Sequence, residues 1–327
     1  MVGKAILFDS TKCIACRACQ VACKQWWELP AVPTTNRGTY ENPPDLSPET
    51  WNKIRFGEIG HDGTLRWLFT RQACMHCTTA ACVWVCPTYA RMYQALGYVT
   101  IDQERCIGCG RCIEYCPFGV PRLGSHNITP RIMVQSGTPR MVAYKCKFCE
   151  DRVADGLTPA CVKTCPPGAL QFGERADLVE QGRARVASLR SIYPKAYLYG
   201  ENELGGLHIM YVLAEEPHIQ GLPDKPRLGT YPEFDENTFP DWYVQAIADG
   251  RLPVFPREAR PDWYMQPKLV PVPRQPEPAL PALSARQGIA GWGTLALWGW
   301  LALGAATGLS WIIWRRITQQ GKEQKDG

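Results

Sequence analysis

Every cysteine of this chain lies between Cys13 and Cys165, and the 16 of them fall into four rows of four. Row one is Cys13-x2-Cys16-x2-Cys19-x3-Cys23, and row two is Cys74-x2-Cys77-x4-Cys82-x3-Cys86-Pro87. Row three is Cys106-x2-Cys109-x2-Cys112-x3-Cys116-Pro117, and row four is Cys146-x2-Cys149-x11-Cys161-x3-Cys165-Pro166. An even number of thiols could build a disulfide framework, as in small secreted proteins. The spacing argues against it. Repeated Cys-x2-Cys places thiols within one turn of each other, which suits several sulfurs converging on one metal centre.

Two kinds of metal centre compete. Structural zinc sites present two separated Cys-x2-Cys pairs. Here rows one and three are compact runs, and three of the four rows end in Cys-Pro. Cys-x2-Cys-x2-Cys-x3-Cys-Pro is the ligand spacing of two-cluster bacterial ferredoxins. In that pattern three thiolates of a tight loop bind three irons of one cubane, and the fourth cysteine faces away and ligates the neighbouring cubane. The following proline removes a backbone donor and turns the chain away. Ala15, Gly108 and Gly110 are small enough to let backbone N–H groups approach the sulfurs. Ile14, Val83, Trp84, Val85, Ile107 and Phe118 would exclude water. Four cysteines in each of four rows predict four [4Fe–4S] clusters, with no ligand lacking. The competing reading is a zinc-stabilised membrane adaptor.

His76, between Cys74 and Cys77, could tune a cluster by charge or hydrogen bond, but reads rather as a loop residue near the metal without a required role. There is no Ser/His/Asp signature, no glycine-rich phosphate loop and no site for a two-electron cofactor. The expected role is to move electrons between other centres, with no catalytic residue in this chain.

Elements with a recurring order must position these rows. Residues 4–9 read as a strand entering row one, and residues 15–24 turn helical after the first turn. Residues 25–73 form a long insertion rich in Trp, Pro and Asn, ending in a strand at 67–70 that leads into row two. A strand at 98–102 leads into row three, and a polar loop at 124–140 separates rows three and four. Strand, cysteine loop and short helix thus recur, which implies a fold built by duplication. After row four come a strand at 168–173, an amphipathic helix at 175–191 and a strand at 208–213.

From about residue 222 prolines recur to residue 281, which predicts extended polyproline II chain. The phrase Pro-Asp-Trp-Tyr occurs there twice, at 240–243 and 261–264. Either it clamps a partner or its aromatics pack on the chain's own body. Residues 287–314 contain no Asp, Glu, Lys or Arg, and these 28 residues exceed the roughly 20 that cross a bilayer. Trp292, Trp298 and Trp300 stand toward one end, Trp311 and Trp314 at the other, as in interfacial aromatic belts. Arg315, Arg316, Lys322 and Lys325 follow, against Arg274 and Arg286 before the span. The positive-inside bias places the C-terminus in the cytoplasm and the cysteine-rich body on the outer, periplasmic face. The cytoplasmic face is the alternative. Gly304 and Gly308 could let a second membrane helix approach closely. The span has no His or Met, so a haem would belong to a partner. No apolar leader and no twin-arginine pair stand at the N-terminus, so no export signal is expected in this chain. A net charge of +5 with interspersed acids and bases argues against a nucleic-acid surface.

Several longer phrases carry a family resemblance. They are the run from Cys13 to Cys23; Glu41-Asn-Pro-Pro-Asp-Leu-Ser47 with Trp51, Arg55 and Phe56; Cys74 to Cys77; Cys106 to Cys109; Cys116 to Phe118; and Pro121 to Leu123. Asp151 to Val153, Pro159 to Pro166 and His208 to Leu213 complete them. These resemble the four-cluster iron–sulfur subunits of the molybdopterin oxidoreductase superfamily, which serve dimethyl sulfoxide, nitrate and polysulfide reductases. Within that group they are most similar to the beta subunits of membrane-bound respiratory formate dehydrogenases. The likeness spans about residues 5–223 and the C-terminal span. Ala15 departs from the family's usual Gly; residues 78–81 and Pro167 also differ. The 124–141 loop is longer than in the family, and 224–285 has no recognised counterpart.

The resemblance implies an α+β fold of two pseudo-symmetric bacterial-ferredoxin-like domains, each holding two [4Fe–4S] clusters, with a Pro-rich extension and one C-terminal transmembrane helix. The first domain would take residues 1–72 and 141–221, and the second 73–140. The extension would be 222–286, the helix 287–314 and a charged tail 315–327. The implied ligand sets are crossed. Set A is Cys13, Cys16, Cys19 and Cys165, and set B is Cys146, Cys149, Cys161 and Cys23. Set C is Cys74, Cys77, Cys82 and Cys116, and set D is Cys106, Cys109, Cys112 and Cys86. The implied partners are a catalytic molybdenum or tungsten subunit, a membrane cytochrome b or quinone-reactive subunit, and lipid. Sets C and D would lie nearer the membrane, and export would be by co-transport with a twin-arginine catalytic partner. The same wire in a membrane hydrogenase or a polysulfide- or nitrate-type reductase is the alternative.

Overall fold

The computed structural model describes residues 3–61, 63–131 and 140–226. The chain from 227 onward lies outside the described residues, and with it the 287–314 span and most of the Pro-rich stretch. Among the described residues no helix is long and apolar enough to cross a membrane.

Strand β1 (Lys4–Asp9) leads into row one, whose end winds into α1 (Ala18–Trp26). A hairpin follows, β2 (Asn52–His61) with β3 (Thr64–Ala73), and β3 runs straight into row two. There the single turn α2 (Ala81–Trp84) carries Cys82. The short strands β4 (Arg91–Tyr93) and β5 (Val99–Ile101) pair and deliver the chain to row three, where α3 (Arg111–Glu114) carries Cys112. β6 (Arg122–Ser125) pairs with β7 (Met141–Tyr144), which enters row four. α4 (Glu150–Ala154) and α5 (Ala160–Lys163) follow, α5 carrying Cys161. β8 (Leu170–Glu174), α6 (Arg175–Leu189), β9 (Tyr197–Tyr199) and β10 (Ile209–Leu213) complete the described chain.

The main sheet has the order β8-β1-β10-β9, with β1 parallel to β10 and the other pairs antiparallel. Alternation along β1 decides what covers each face. Ala5 and Leu7, with Met210 and Val212, pack under Leu178, Val179, Val186 and Leu189, the apolar face of α6. Ile6 and Phe8, with Ile209, Tyr211 and Leu213, face the other way and pack with Phe148, Cys19 and Cys161. The sheet is therefore a wall between a covering helix and the cysteine loops. Burial of both faces explains why these strands read as near-continuous apolar runs.

The helical turns pair across the rows: α1 packs on α5, and α2 on α3. Row one is thereby set beside row four, and row two beside row three. The insertion at 25–73 is built in rather than loose. Trp27 lies 5.3 Å from Trp51, which stacks on Tyr144 at 6.2 Å. The Asn52 side-chain amide donates to the Cys19 carbonyl at 3.2 Å, and the buried Lys53 ammonium pairs with Glu41. The polar loop expected at 124–140 is closed at its base by β6 and β7, and the His126 amide donates to the Arg140 carbonyl at 3.0 Å. Residues 132–139 lie outside the described chain.

Candidate iron–sulfur centres

Each row opens with the same backbone turn. The residue before the second cysteine is left-handed in all four: Ala15 (φ 53°), His76 (φ 47°), Gly108 (φ 67°) and Phe148 (φ 62°). That conformation folds the chain back so that an amide meets the first sulfur. The Ala15 N–H donates to Cys13 Sγ, and that of Phe148 to Cys146 Sγ, each at 3.4 Å. The Gly108 amide serves Cys106, and the Ala143 N–H of β7 reaches the same sulfur at 3.3 Å. Gly108 answers a second need: a Cβ there would stand 2.3 Å from the Met141 carbonyl oxygen. An L side chain adopts this conformation only at a cost of about 1–2 kcal/mol. Ala15 and Phe148 accept that strain within the sulfur-binding turn.

Two cavities lie between rows two and three. One is lined by Cys74, Cys77, Cys82 and, from the other row, Cys116, with His76 and Lys145 in its wall. The second is lined by Cys106, Cys109, Cys112 and, from the other row, Cys86, with Arg91 in its wall. The last cysteine of each row thus stands in the other row's cavity.

Rows one and four show the same exchange through the electrostatics of their thiols. Burial pushes Cys13 up to about 11, and negative charge on Cys165 and Cys16 adds to it. Burial pushes Cys19 up to about 12, opposed by Arg71 and reinforced by Cys161, Cys13 and Cys165. Burial raises Cys23, whose thiol neighbours are Cys146 and Cys161 rather than its own row. Cys149 is raised by burial and then by Cys161, Cys23 and Cys146. The last cysteine of each of these two rows thus has thiols of the other row as neighbours, Cys165 beside Cys13 and Cys19, and Cys23 beside Cys146, Cys149 and Cys161. Cys16 is the exposed member; the others are buried or half-buried.

The shape of these groups bears on what they hold. Among the described residues, no three His, Cys, Asp or Glu side chains close on one point as the ligands of a single metal ion do. In rows two and three the cysteines instead line two pockets, and a cubane takes each thiolate on a different iron. The ring walls also carry unspent donors. Arg71 Nε and Nη1, Arg91 Nε and Nη1, and His76 Nε2 are buried without a hydrogen-bond partner. Such groups are costly unless something accepts from them. Cluster sulfides and thiolates would do so, and they fit here.

Four wall residues lie outside the sequence-based site assignment or were given no role in it. His76 is fully buried, its ring 4.9 Å from that of Phe148, and its Nδ1 accepts the Val99 N–H at 3.1 Å. It ties β5 to row two. The Lys145 ammonium is buried and donates to the Val99 and Cys146 carbonyls. Arg71 and Arg91 are almost completely buried at 1% exposure each, and Arg91 Nη2 donates to Cys112 Sγ at 3.2 Å. Nothing in the local sequence marks a strand arginine as buried, because the thiols that compensate it come from distant rows.

A family model for a 4Fe-4S dicluster domain matches residues 65–175, the stretch that holds rows two, three and four. The described chain is thus a ferredoxin-like iron–sulfur protein of mixed helix and sheet. It is 41% identical over 231 residues to the iron–sulfur subunit of the nitrate-inducible formate dehydrogenase of Escherichia coli (strain K12), covering 69% of this chain and 74% of the relative. The formate dehydrogenase-O iron–sulfur subunit of the same organism is also 41% identical, over 235 residues, 70% of this chain and 74% of that one. The formate dehydrogenase 2 subunit beta (cytochrome c-553) of Nitratidesulfovibrio vulgaris is 37% identical over 222 residues, 65% of this chain and 94% of the relative. The chain belongs to the family of formate dehydrogenase iron–sulfur subunits.

Proposed function

We propose that the chain is the electron wire of a membrane-bound formate dehydrogenase, carrying four [4Fe–4S] clusters between a catalytic molybdenum or tungsten subunit and a membrane cytochrome b or quinone-reactive partner. When bound, the clusters supply one-electron redox chemistry; the chain's own residues hold, space and insulate them. Set A (Cys13, Cys16, Cys19, Cys165) and set B (Cys146, Cys149, Cys161, Cys23) would belong to one ferredoxin-like domain, residues 1–72 with 141–221. Set C (Cys74, Cys77, Cys82, Cys116) and set D (Cys106, Cys109, Cys112, Cys86) would belong to the other, residues 73–140. The observation that carries this reading is the exchange of the last cysteine between the two cavities of rows two and three. A loop that lends a ligand to its neighbour's cluster keeps two clusters close enough to pass electrons.

The exposed Cys16 supports entry of electrons from the catalytic subunit at set A. Sets C and D would then lead toward the membrane. The uncharged stretch 287–314 would anchor the chain beside its lipid-embedded partner, with the cluster domains on the periplasmic face and the tail 315–327 in the cytoplasm. The Pro-rich 222–286 would span between them. No residue of this chain is assigned a catalytic role; formate would be oxidised on the partner.

The test is anaerobic purification of the intact complex with its subunits identified and its metals counted. The proposal expects about 16 irons on this chain, at four per cubane, and EPR signals that appear when formate is added. Co-purification with a nickel–iron large subunit would refute the formate role, and a colourless, zinc-loaded chain would refute the wire.

A further inference from the structure

Two arginines are buried where a cation has no ordinary reason to be. Arg71 on β3 and Arg91 on β4 are each 1% exposed, and no ion pair to a carboxylate involves either among the described residues. A guanidinium cannot shed its charge. A buried one therefore needs a compensating anion, or it costs several kcal/mol.

The groups that face them are cysteines, and in each case cysteines of two different rings. Arg71 bears on Cys161 and Cys146 of set B and on Cys19 of set A, with the Tyr211 hydroxyl beside it. Arg91 bears on Cys112 and Cys106 of set D and on Cys82 of set C. Its Nη2 donates to Cys112 Sγ at 3.2 Å, and its backbone N–H serves Cys86. Two nitrogens of each guanidinium remain without a partner in these walls. Lys145, a buried cation that also bears on Cys82, is different: backbone carbonyls of Val99 and Cys146 take up its ammonium. The two arginines come from different elements, yet each is a buried cation whose charged neighbours are cysteines of both rings of a pair.

We infer that Arg71 and Arg91 are the redox-tuning residues of the wire, each a fixed cation that stabilises the reduced state of the two clusters it stands between. Adding one electron to a cluster adds one negative charge. A fixed positive charge nearby, in a site from which water is excluded, favours that state over the oxidised one. The free guanidinium N–H groups donate to cluster sulfur, which strengthens as sulfur gains charge. Arg71 thereby sets sets A and B together, and Arg91 sets C and D, so that each pair stays matched for transfer. This inference rests on the four-cluster reading above.

The test is a redox titration followed by EPR on the anaerobically purified complex, with iron counted in each preparation. Arg91→Gln is expected to lower the potentials of two clusters and leave the other two in place, and Arg71→Gln to do the reverse. The expected effect is at least a tenfold fall in the ratio of reduced to oxidised cluster at a fixed poise, which is 59 mV for one electron. Arg91→Lys and Arg71→Lys, which keep the charge, are expected to recover most of that shift. Unchanged potentials with full iron, or an equal shift of all four clusters, overturn the inference. If a Gln variant loses its iron, the Lys variant decides: full iron with near-parental potentials supports it, and loss of iron there too overturns it. A parent protein without four reducible clusters would instead overturn the wire itself.

Discussion

Replacing Gly108 by Ala puts a methyl group where the fold has no room. Gly108 has φ +67°, and its Cβ would lie 2.3 Å from the Met141 carbonyl oxygen. Three effects add. The left-handed conformation costs an L residue about 1–2 kcal/mol. Ala in place of Gly returns about 0.4–1 kcal/mol through a less disordered unfolded chain. The overlap with Met141 is with backbone, so β7 must shift, and overpacking of that kind costs about 1–3 kcal/mol. The net is a loss of about 1–5 kcal/mol. It falls on one ring, because the Gly108 amide and the Ala143 amide of β7 both serve Cys106. The urea midpoint should drop, and iron should be lost selectively from set D. Ala15 supplies the mirror experiment. It holds the equivalent turn at φ 53° with a methyl group already accommodated, so Ala15→Gly should gain about 0.5–1 kcal/mol. A Gly108→Ala protein with parental midpoint and full iron would refute the argument that this turn is sterically dictated.

Other outcomes follow from the same packing. Burial holds His208 down to about 4, although the Lys4 carbonyl 2.7 Å from its Nδ1 partly opposes this. A base kept neutral by folding stabilises fully above its unfolded value of about 6.5, and that contribution is lost as pH falls toward 4. The loss approaches about 3 kcal/mol, at 1.36 kcal/mol per unit. Urea midpoints of His208→Asn should therefore fall less steeply than the parent's between pH 6.5 and 4; equal slopes would contradict it. Glu41→Leu should destabilise by about 3 kcal/mol, because it leaves the buried Lys53 ammonium without its counter-charge, with the Pro44 carbonyl still accepting from it, and the thermal midpoint reports it. A change under 1 kcal/mol, within the range of an ordinary surface ion pair, would show that the pair does not hold the insertion.

What could be read from the residues alone was the part written in local spacing. Cys-x2-Cys needs no tertiary knowledge to imply converging thiols, and the strand at 4–9 follows from its unbroken apolar run. The helix of row one begins at Ala18, after the first turn as the sequence implied, because Ala15 and Arg17 are both left-handed to bring amides and thiols together. The strand Asn52–His61 carries Gly57, Gly60 and charged residues on a partly exposed ribbon, so it lacks the alternation that marks a strand. The burial of His76 and the wall positions of Arg71, Arg91 and Lys145 were beyond reach for a different reason. Their types are ordinarily exposed, and the partners that make burial tolerable sit in other rows.

The exchange of the fourth cysteine between rows is tested most directly by one comparison. Cys116→Ser, Cys74→Ser and Cys106→Ser are prepared anaerobically in the full complex, and the EPR spectra of the reduced proteins are overlaid. The structure places Cys116 with Cys74, Cys77 and Cys82. Cys116→Ser should therefore perturb the signal that Cys74→Ser perturbs and leave intact the one altered by Cys106→Ser. A Cys116→Ser spectrum that matches Cys106→Ser instead would mean that each row serves its own cluster, and the crossed wire would be wrong.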